Sequence, residues 1–156
     1  MQNIYFPDEE ITINDLYFVC YMIERTARKL KQHNKYVVNA LGKENLVHQL
    51  SVANVMHCKN PEEVVYEWTT QYNLQSGNFD ITNVDKTLAE IIPTELQMGK
   101  VYQRLIVDTL QPGEDYADGI LKIYNSWICE KIDNYNCSAF YEPSYYIARA
   151  FENGGY

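Results

Sequence analysis

The sequence predicts an all-α fold, a compact bundle of about seven or eight helices with minor or no strand, and three observations predict it. Apolar residues recur at spacings of three and four in several separate stretches, the period of a helix with one face turned to a core. Capping and stopping residues bracket those stretches. A composition of 46% hydrophobic and 22% charged residues is that of a folded globule rather than a disordered chain.

The elements follow in order. Leu16, Val19, Cys20, Ile23, Ala27 and Leu30 form one stripe, with Glu24, Arg28 and Lys31 expected to face outward. Asn14 and Asp15 supply a cap and a negative first turn, and the last turn is crowded with cations that suit the helix dipole. Asn34 is read as the cap of a helix from Lys35 to Leu41, stopped by Gly42, and a further helix runs from Glu44 to His57. Asn60-Pro61-Glu62-Glu63 reads as N-cap, first-turn proline and acidic turn for a helix reaching Tyr72. Residues 73–81 are the candidate boundary, with a short extended piece at Phe79 and Ile81. It divides the chain into helical subdomains 1–76 and 77–156 sharing one core. Thr82-x-x-Asp85 resembles a capping box, with Asp in place of Glu, for a short helix ending at Pro93. Two long helices are then expected, Pro93 to Leu110 with Leu96 inward and Asp115 to about Tyr135 with Trp127 inward. The last begins near Pro143-Ser144 and stops at Gly154-Gly155. Gly119, inside a helical pattern, marks the close approach of a neighbour.

Charge and cysteine usage narrow the function classes. The net charge is −8, of which residues 79–156 carry −6. That sign disfavours sequence-independent binding to nucleic acid or to an anionic membrane, and suits solubility or a basic protein partner. Cys20, Cys58, Cys129 and Cys137 form no CxxC pair. The first residues lack the basic and apolar regions of a signal peptide, and no window approaches the ~18 apolar residues of a membrane helix. The expectation is a cytoplasmic protein with free thiols.

Candidate chemistry is sparse. Glycine-rich phosphate loops, HExxH and GxSxG are absent, so no catalytic residue, metal or cofactor is assigned. His57-Cys58 invites a nucleophile or metal reading, but no two cysteines lie closer than eight positions, and buried small hydrophobes explain them better. Glu62-Glu63 and Glu114-Asp115 sit in expected first helical turns, where they complement the dipole. Arg25, Arg28, Lys29, Lys31, Lys35 and Lys43 are the one basic concentration, read as a solvated face. The chain holds fourteen tyrosines, eight of them after residue 78, and the segment from Asp133 to Tyr146 is the densest. A tyrosine ring offers a large apolar face, a polar tip and few torsions to freeze, which favours contact surfaces.

Two blocks carry a resemblance. The first runs from Asp15 through Ile23-Glu24 and Ala27-Arg28 to Tyr36–Lys43 and Ala53–His57; the second comprises 101–106, 123–128, 134–138 and 143–147. Together they cover about two-thirds of the chain. They resemble small bacterial helical domains that lack an assigned activity and tend to be encoded near ADP-ribosyltransferase-like proteins, as in toxin–antitoxin cassettes. The resemblance implies partner binding and carries over no functional residue.

The expected function is therefore a non-enzymatic protein-binding module, of the antitoxin, immunity or inhibitor kind, acting through an acidic, tyrosine-rich surface. Its expected contacts are Tyr135, Tyr141, Glu142, Tyr145 and Tyr146. The alternatives are an accessory enzyme or nucleotide-linked protein, with a pocket between the halves and His57, Cys58 or a tyrosine hydroxyl in use, and a DNA-binding regulator using the basic end of the first helix.

Overall fold

A computed structural model describes all residues, 1–156. The first apolar stripe becomes the centre of the molecule: helix α1 (Ile13–Leu30) buries all six stripe residues. Its cap is Thr12 rather than Asn14. Asp15 N–H donates to Thr12 Oγ1, and Asp15 Oδ2 accepts from Thr12 N–H at 2.8 Å, a reciprocal box that satisfies two otherwise orphaned donors. At the far end the Leu30 and Lys31 carbonyls accept from Gly77 and Phe79, so the 73–81 connector closes α1 and forms no strand.

Helix α2 (Asn34–Met56) is kinked at Gly42, whose φ of 74° requires glycine, so it consists of the two expected arms. Helix α3 (Pro61–Gln71) starts as expected, with Asn60 capping Glu62 N–H. Helices α4 (Glu95–Thr109), α5 (Tyr116–Tyr124), α6 (Trp127–Ile132) and α7 (Ser144–Asn153) follow, with a 3₁₀ turn at Ala139–Tyr141. Seven α-helices and no strand make the fold all-α. Helix α1 packs against α2, α3 and α4, α4 also meets α5 and α7, and α5 lies on α2. One continuous hydrophobic core includes residues from both 1–76 and 77–156. Two glycines permit its closest crossings: a Cβ on Gly99 would stand 2.9 Å from the Tyr21 backbone, and one on Gly119 would stand 2.6 Å from Ile106 Cγ2. No helix is long and apolar enough to cross a membrane.

Four expectations fail. No helix spans Thr82 to Pro93: the Asp80 and Asp85 side chains accept from the backbone N–H and hydroxyl of Thr82 and Thr87, and these local bonds compete with a helical ladder. The expected helix from Asp115 to Tyr135 is broken at Asn125-Ser126. There Asn125 donates to the Leu121 carbonyl and pairs with Asn39, while Ser126 Oγ donates to the Ile123 carbonyl, so side chains take over helical acceptors. Trp127 restarts the helix on the surface. Leu96 belongs to the first turn of α4 and is 52% exposed rather than inward. Glu24 and Arg28, expected outside, are turned inward.

Candidate functional site

The inward turn of Glu24 creates the most unusual chemistry in the protein. Its side chain is fully buried, one turn before Arg28, whose Nη2 lies 3.0 Å from Glu24 Oε1. Tyr135 donates to the same oxygen at 2.7 Å and accepts from Arg28 at 3.0 Å. Arg28 also donates to the Pro93 carbonyl and lies 3.4 Å from Glu95. Asn34, expected as a helix cap, is instead the first residue of α2, and its amide nitrogen bridges Glu24 Oε2 (2.6 Å) and Asp133 Oδ2 (3.0 Å). Asp133, at the end of α6, accepts from Tyr102 through Oδ1 and from Cys129, one turn earlier, through Oδ2. Side chains from α1, α2, α4 and α6 are thus tied into one polar cluster inside the core.

Of the two buried carboxylates, Glu24 pairs with Arg28 and Asp133 pairs with no cation. Burial, and then the charge of Glu24, push the Asp133 carboxyl up to about 7, against the lowering effect of its three donors. A proton there lets the cluster hold one negative and one positive charge, which is the affordable state in a low-dielectric interior. Burial works against the Arg28 charge, but Glu24 and Tyr135 outweigh it and raise its pKa. Burial raises the Tyr102 and Tyr135 phenols and the Cys129 thiol, and pushes the Cys20 thiol up to about 12, so these groups stay protonated. A cleft of about 320 Å³ opens above the cluster. The stacked rings of His33 and Phe79, 3.7 Å between centroids, stand on one side, and the cleft reaches Tyr124, Cys129, Asp133 and Tyr135. The Tyr124 hydroxyl is buried beside the Cys20 thiol without a hydrogen-bond partner that meets ordinary geometry.

The tyrosine segment divides. Tyr135, expected at an interface, is 2% exposed and belongs to the buried cluster, because its hydroxyl is needed by Glu24 and Arg28. Tyr141, Tyr145 and Tyr146 are 58%, 64% and 41% exposed, and Glu142 is partly so. Tyr156 packs between Tyr146 (5.6 Å between centroids) and Trp127 (6.2 Å), which extends the exposed aromatic surface beyond the expected residues. Arg149 lies over the Tyr145 ring. The groove beside Tyr141 and Glu142, about 370 Å³, is also lined by Lys100 and Arg104, so that part of the surface carries both signs of charge.

The other sequence candidates separate cleanly. Cys58 is exposed rather than buried, with its Sγ 3.7 Å from His57 Nε2, while Nδ1 of the same ring faces the Ala53 carbonyl. All four cysteines are free. Of the basic concentration, Arg25 pairs with Glu62, Arg28 with Glu24 and Glu95, Lys31 with Asp80, Lys35 with Glu130 and Lys43 with Asp118, leaving only Lys29 without an ion pair. Glu62 and Glu63 lie in the first turn of α3, and Asp115 caps α5. No group of three or more His, Cys, Asp or Glu side chains is arranged to hold a metal ion. Sequence reasoning missed Glu24, Arg28, Asn34 and Asp133. The available signal was the row Cys20–Glu24–Arg28, which continues the apolar stripe at intervals of four.

The fold and its buried ionic cluster define an all-α bundle with an aromatic surface. Comparison with protein-family models, with curated proteins and with solved structures finds no match to this chain.

Proposed function

We propose that this chain is a non-catalytic protein-binding module of the antitoxin, immunity or inhibitor kind, which engages a partner with a basic surface. The observation that carries the reading is the exposed set Tyr141, Tyr145, Tyr146 and Trp127, borne on short elements that pack against the core, with Tyr156 packed against Tyr146 and Trp127 beyond α7. Aromatic rings in fixed positions are the anchors of protein interfaces, because they bury large area at little entropic cost. Charge supports the same reading. Ion pairs engage eight of the twenty-one carboxylates and seven of the thirteen Lys/Arg; with the buried Asp133 set aside, about twelve acids against six bases remain to act on a partner. Tyr141, Glu142, Tyr145 and Tyr146 are the contacts, and four free thiols fit residence in the reducing cytoplasm.

Tagged wild-type protein and a Tyr141→Ala/Tyr145→Ala variant, used side by side on the same native lysate, test this. A protein held by the wild type and lost by the variant, at unchanged helicity, supports the reading. Equal capture by both sinks it. The cleft above Asp133, lined by residues from both halves of the chain, favours a second reading, a small-ligand accessory role.

A further inference from the structure

The exposed tyrosines account for one face, but the concentration of unneutralised acid lies elsewhere. A trough of about 730 Å³ runs beside α1. Glu9, Glu10 and Asp15 line one end, and Tyr17, Phe18 and Tyr21 continue it along the next turns of the same helix. His57, at the end of α2, and Leu96, at the start of α4, also line it, and no Lys or Arg does. Glu9 and Glu10 are exposed and make no ion pair, and Asp15 uses Oδ2 for its cap and keeps Oδ1 free. The nearby Tyr116 phenol is raised by burial and then by the charges of Glu10 and Asp15, which agrees with a local excess of negative charge. From Asp15 to Tyr21 the helix advances about 9 Å at ~1.5 Å per residue, so acid and aromatic surface are spread along a line rather than gathered at a point.

We infer that this trough docks an extended, Lys/Arg-bearing peptide segment of a protein partner, with cations against Glu9, Glu10 and Asp15 and apolar side chains over Tyr17, Phe18 and Leu96. Charge complementarity selects the occupant. The Tyr17 and Tyr21 rings already carry the protein's own cations, Lys100 at 5.1 Å and Arg25 at 5.9 Å from the ring centroids, so the carboxylates are what remains for a partner's cations. The inference rests on the partner-binding reading and adds to it the chemistry of the segment and a second face.

Fluorescence anisotropy with a labelled twelve-residue peptide of alternating Arg-Lys and Leu-Leu pairs tests it, beside the same peptide with Glu replacing each cation. The full chain binds the cationic peptide and not the acidic one, and Glu9→Gln/Glu10→Gln weakens binding about tenfold, within the range for two exposed ion pairs. Glu90→Gln/Glu152→Gln, which removes equal charge from exposed sites outside the trough, changes binding less than about twofold. On addition of peptide the His57 ring resonances shift and those of His33 stay. No binding of the cationic peptide, or equal weakening by both double variants, overturns the inference. Either result leaves the wider reading standing if Tyr141- and Tyr145-dependent capture persists; loss of that dependence removes the wider reading instead.

Discussion

Replacing Arg28 by methionine removes the one cation that faces Glu24 while keeping most of the side-chain stem. The magnitude follows from burial. Glu24 is 0% and Arg28 14% exposed at the side chain, so water does little to screen the loss. Breaking a buried pair by deleting one partner costs about 3–5 kcal/mol, because the remaining charge has nowhere to go. Asn34 and Tyr135 still donate to Glu24, which places the expected cost near the lower end, about 3 kcal/mol. A domain of this size holds about 5–15 kcal/mol in total and loses roughly 2–4 °C of thermal midpoint per kcal/mol, so Arg28→Met melts about 6–12 °C lower. Adding Glu24→Gln to that variant restores stability rather than removing more, since a neutral amide keeps hydrogen bonds to Tyr135 and a flipped Asn34 without a buried charge. Urea and thermal unfolding followed by circular dichroism of the two single variants and the double variant decide the matter. A cost for Arg28→Met within about 0.5 kcal/mol, the range of ordinary surface changes, refutes the reasoning. A double variant less stable than Arg28→Met alone refutes it equally.

The Asp133 carboxyl is raised in the folded state, so between its unfolded value near 4 and about 7 the folded protein binds the extra proton; this contribution is fully present below pH 4 and is lost as pH rises through 7. Urea midpoints measured from pH 5 to 8 therefore fall more steeply in the wild type than in Asp133→Asn, and parallel slopes refute this. Tyr135→Phe costs about 1.5–3 kcal/mol because it removes a hydroxyl bonded to two charged groups, whereas Tyr145→Ala stays within about 0.5 kcal/mol; denaturant unfolding compares them. Gly99→Ala and Gly119→Ala each destabilise by about 1–3 kcal/mol, since the first Cβ meets the Tyr21 backbone and the second a buried, β-branched Ile106 whose rotamer its helix fixes; thermal midpoints check both. A thiol reagent on native protein modifies Cys58 first, and mass spectrometry finds Cys20 and Cys129 untouched until denaturant is added.

Helices were legible wherever both an apolar stripe and a cap lay within a few residues. Asn60-Pro61 and Gly154 placed the start of α3 and the end of α7, and the α1 stripe was buried residue for residue. Gly42 and Gly119 were legible for the same reason, because a backbone constraint leaves its mark at one position. Failures came where a polar side chain had two local uses. Thr82 and Asp85 suit a helix cap as well as a turn, and Asn125-Ser126 suits a solvated helix face as well as a break; only the tertiary partners, Asn136 and Asn39, decide between them. The buried cluster was hidden more deeply. Glu24 and Arg28 form an ordinary i,i+4 pair, the usual mark of an exposed helix face, and what covers them is Tyr135, more than a hundred residues away.

That long contact also joins the cluster to the candidate interface. Tyr135, held by Glu24 and Arg28, meets Phe140 edge-on at 5.4 Å, and Phe140 packs against Tyr141 at 4.4 Å. An exposed ring is thus three contacts from the buried ion pair. Tyr141 ends the three-residue 3₁₀ turn between α6 and α7, with its N–H donating to the Ser138 carbonyl at 2.9 Å. The Tyr135 ring, anchored through its hydroxyl, adds a side-chain hold on that turn through Phe140. If Tyr141 contacts a partner as proposed, a ring held this way would lose less freedom on binding, and the buried charged group would contribute at a surface it never touches.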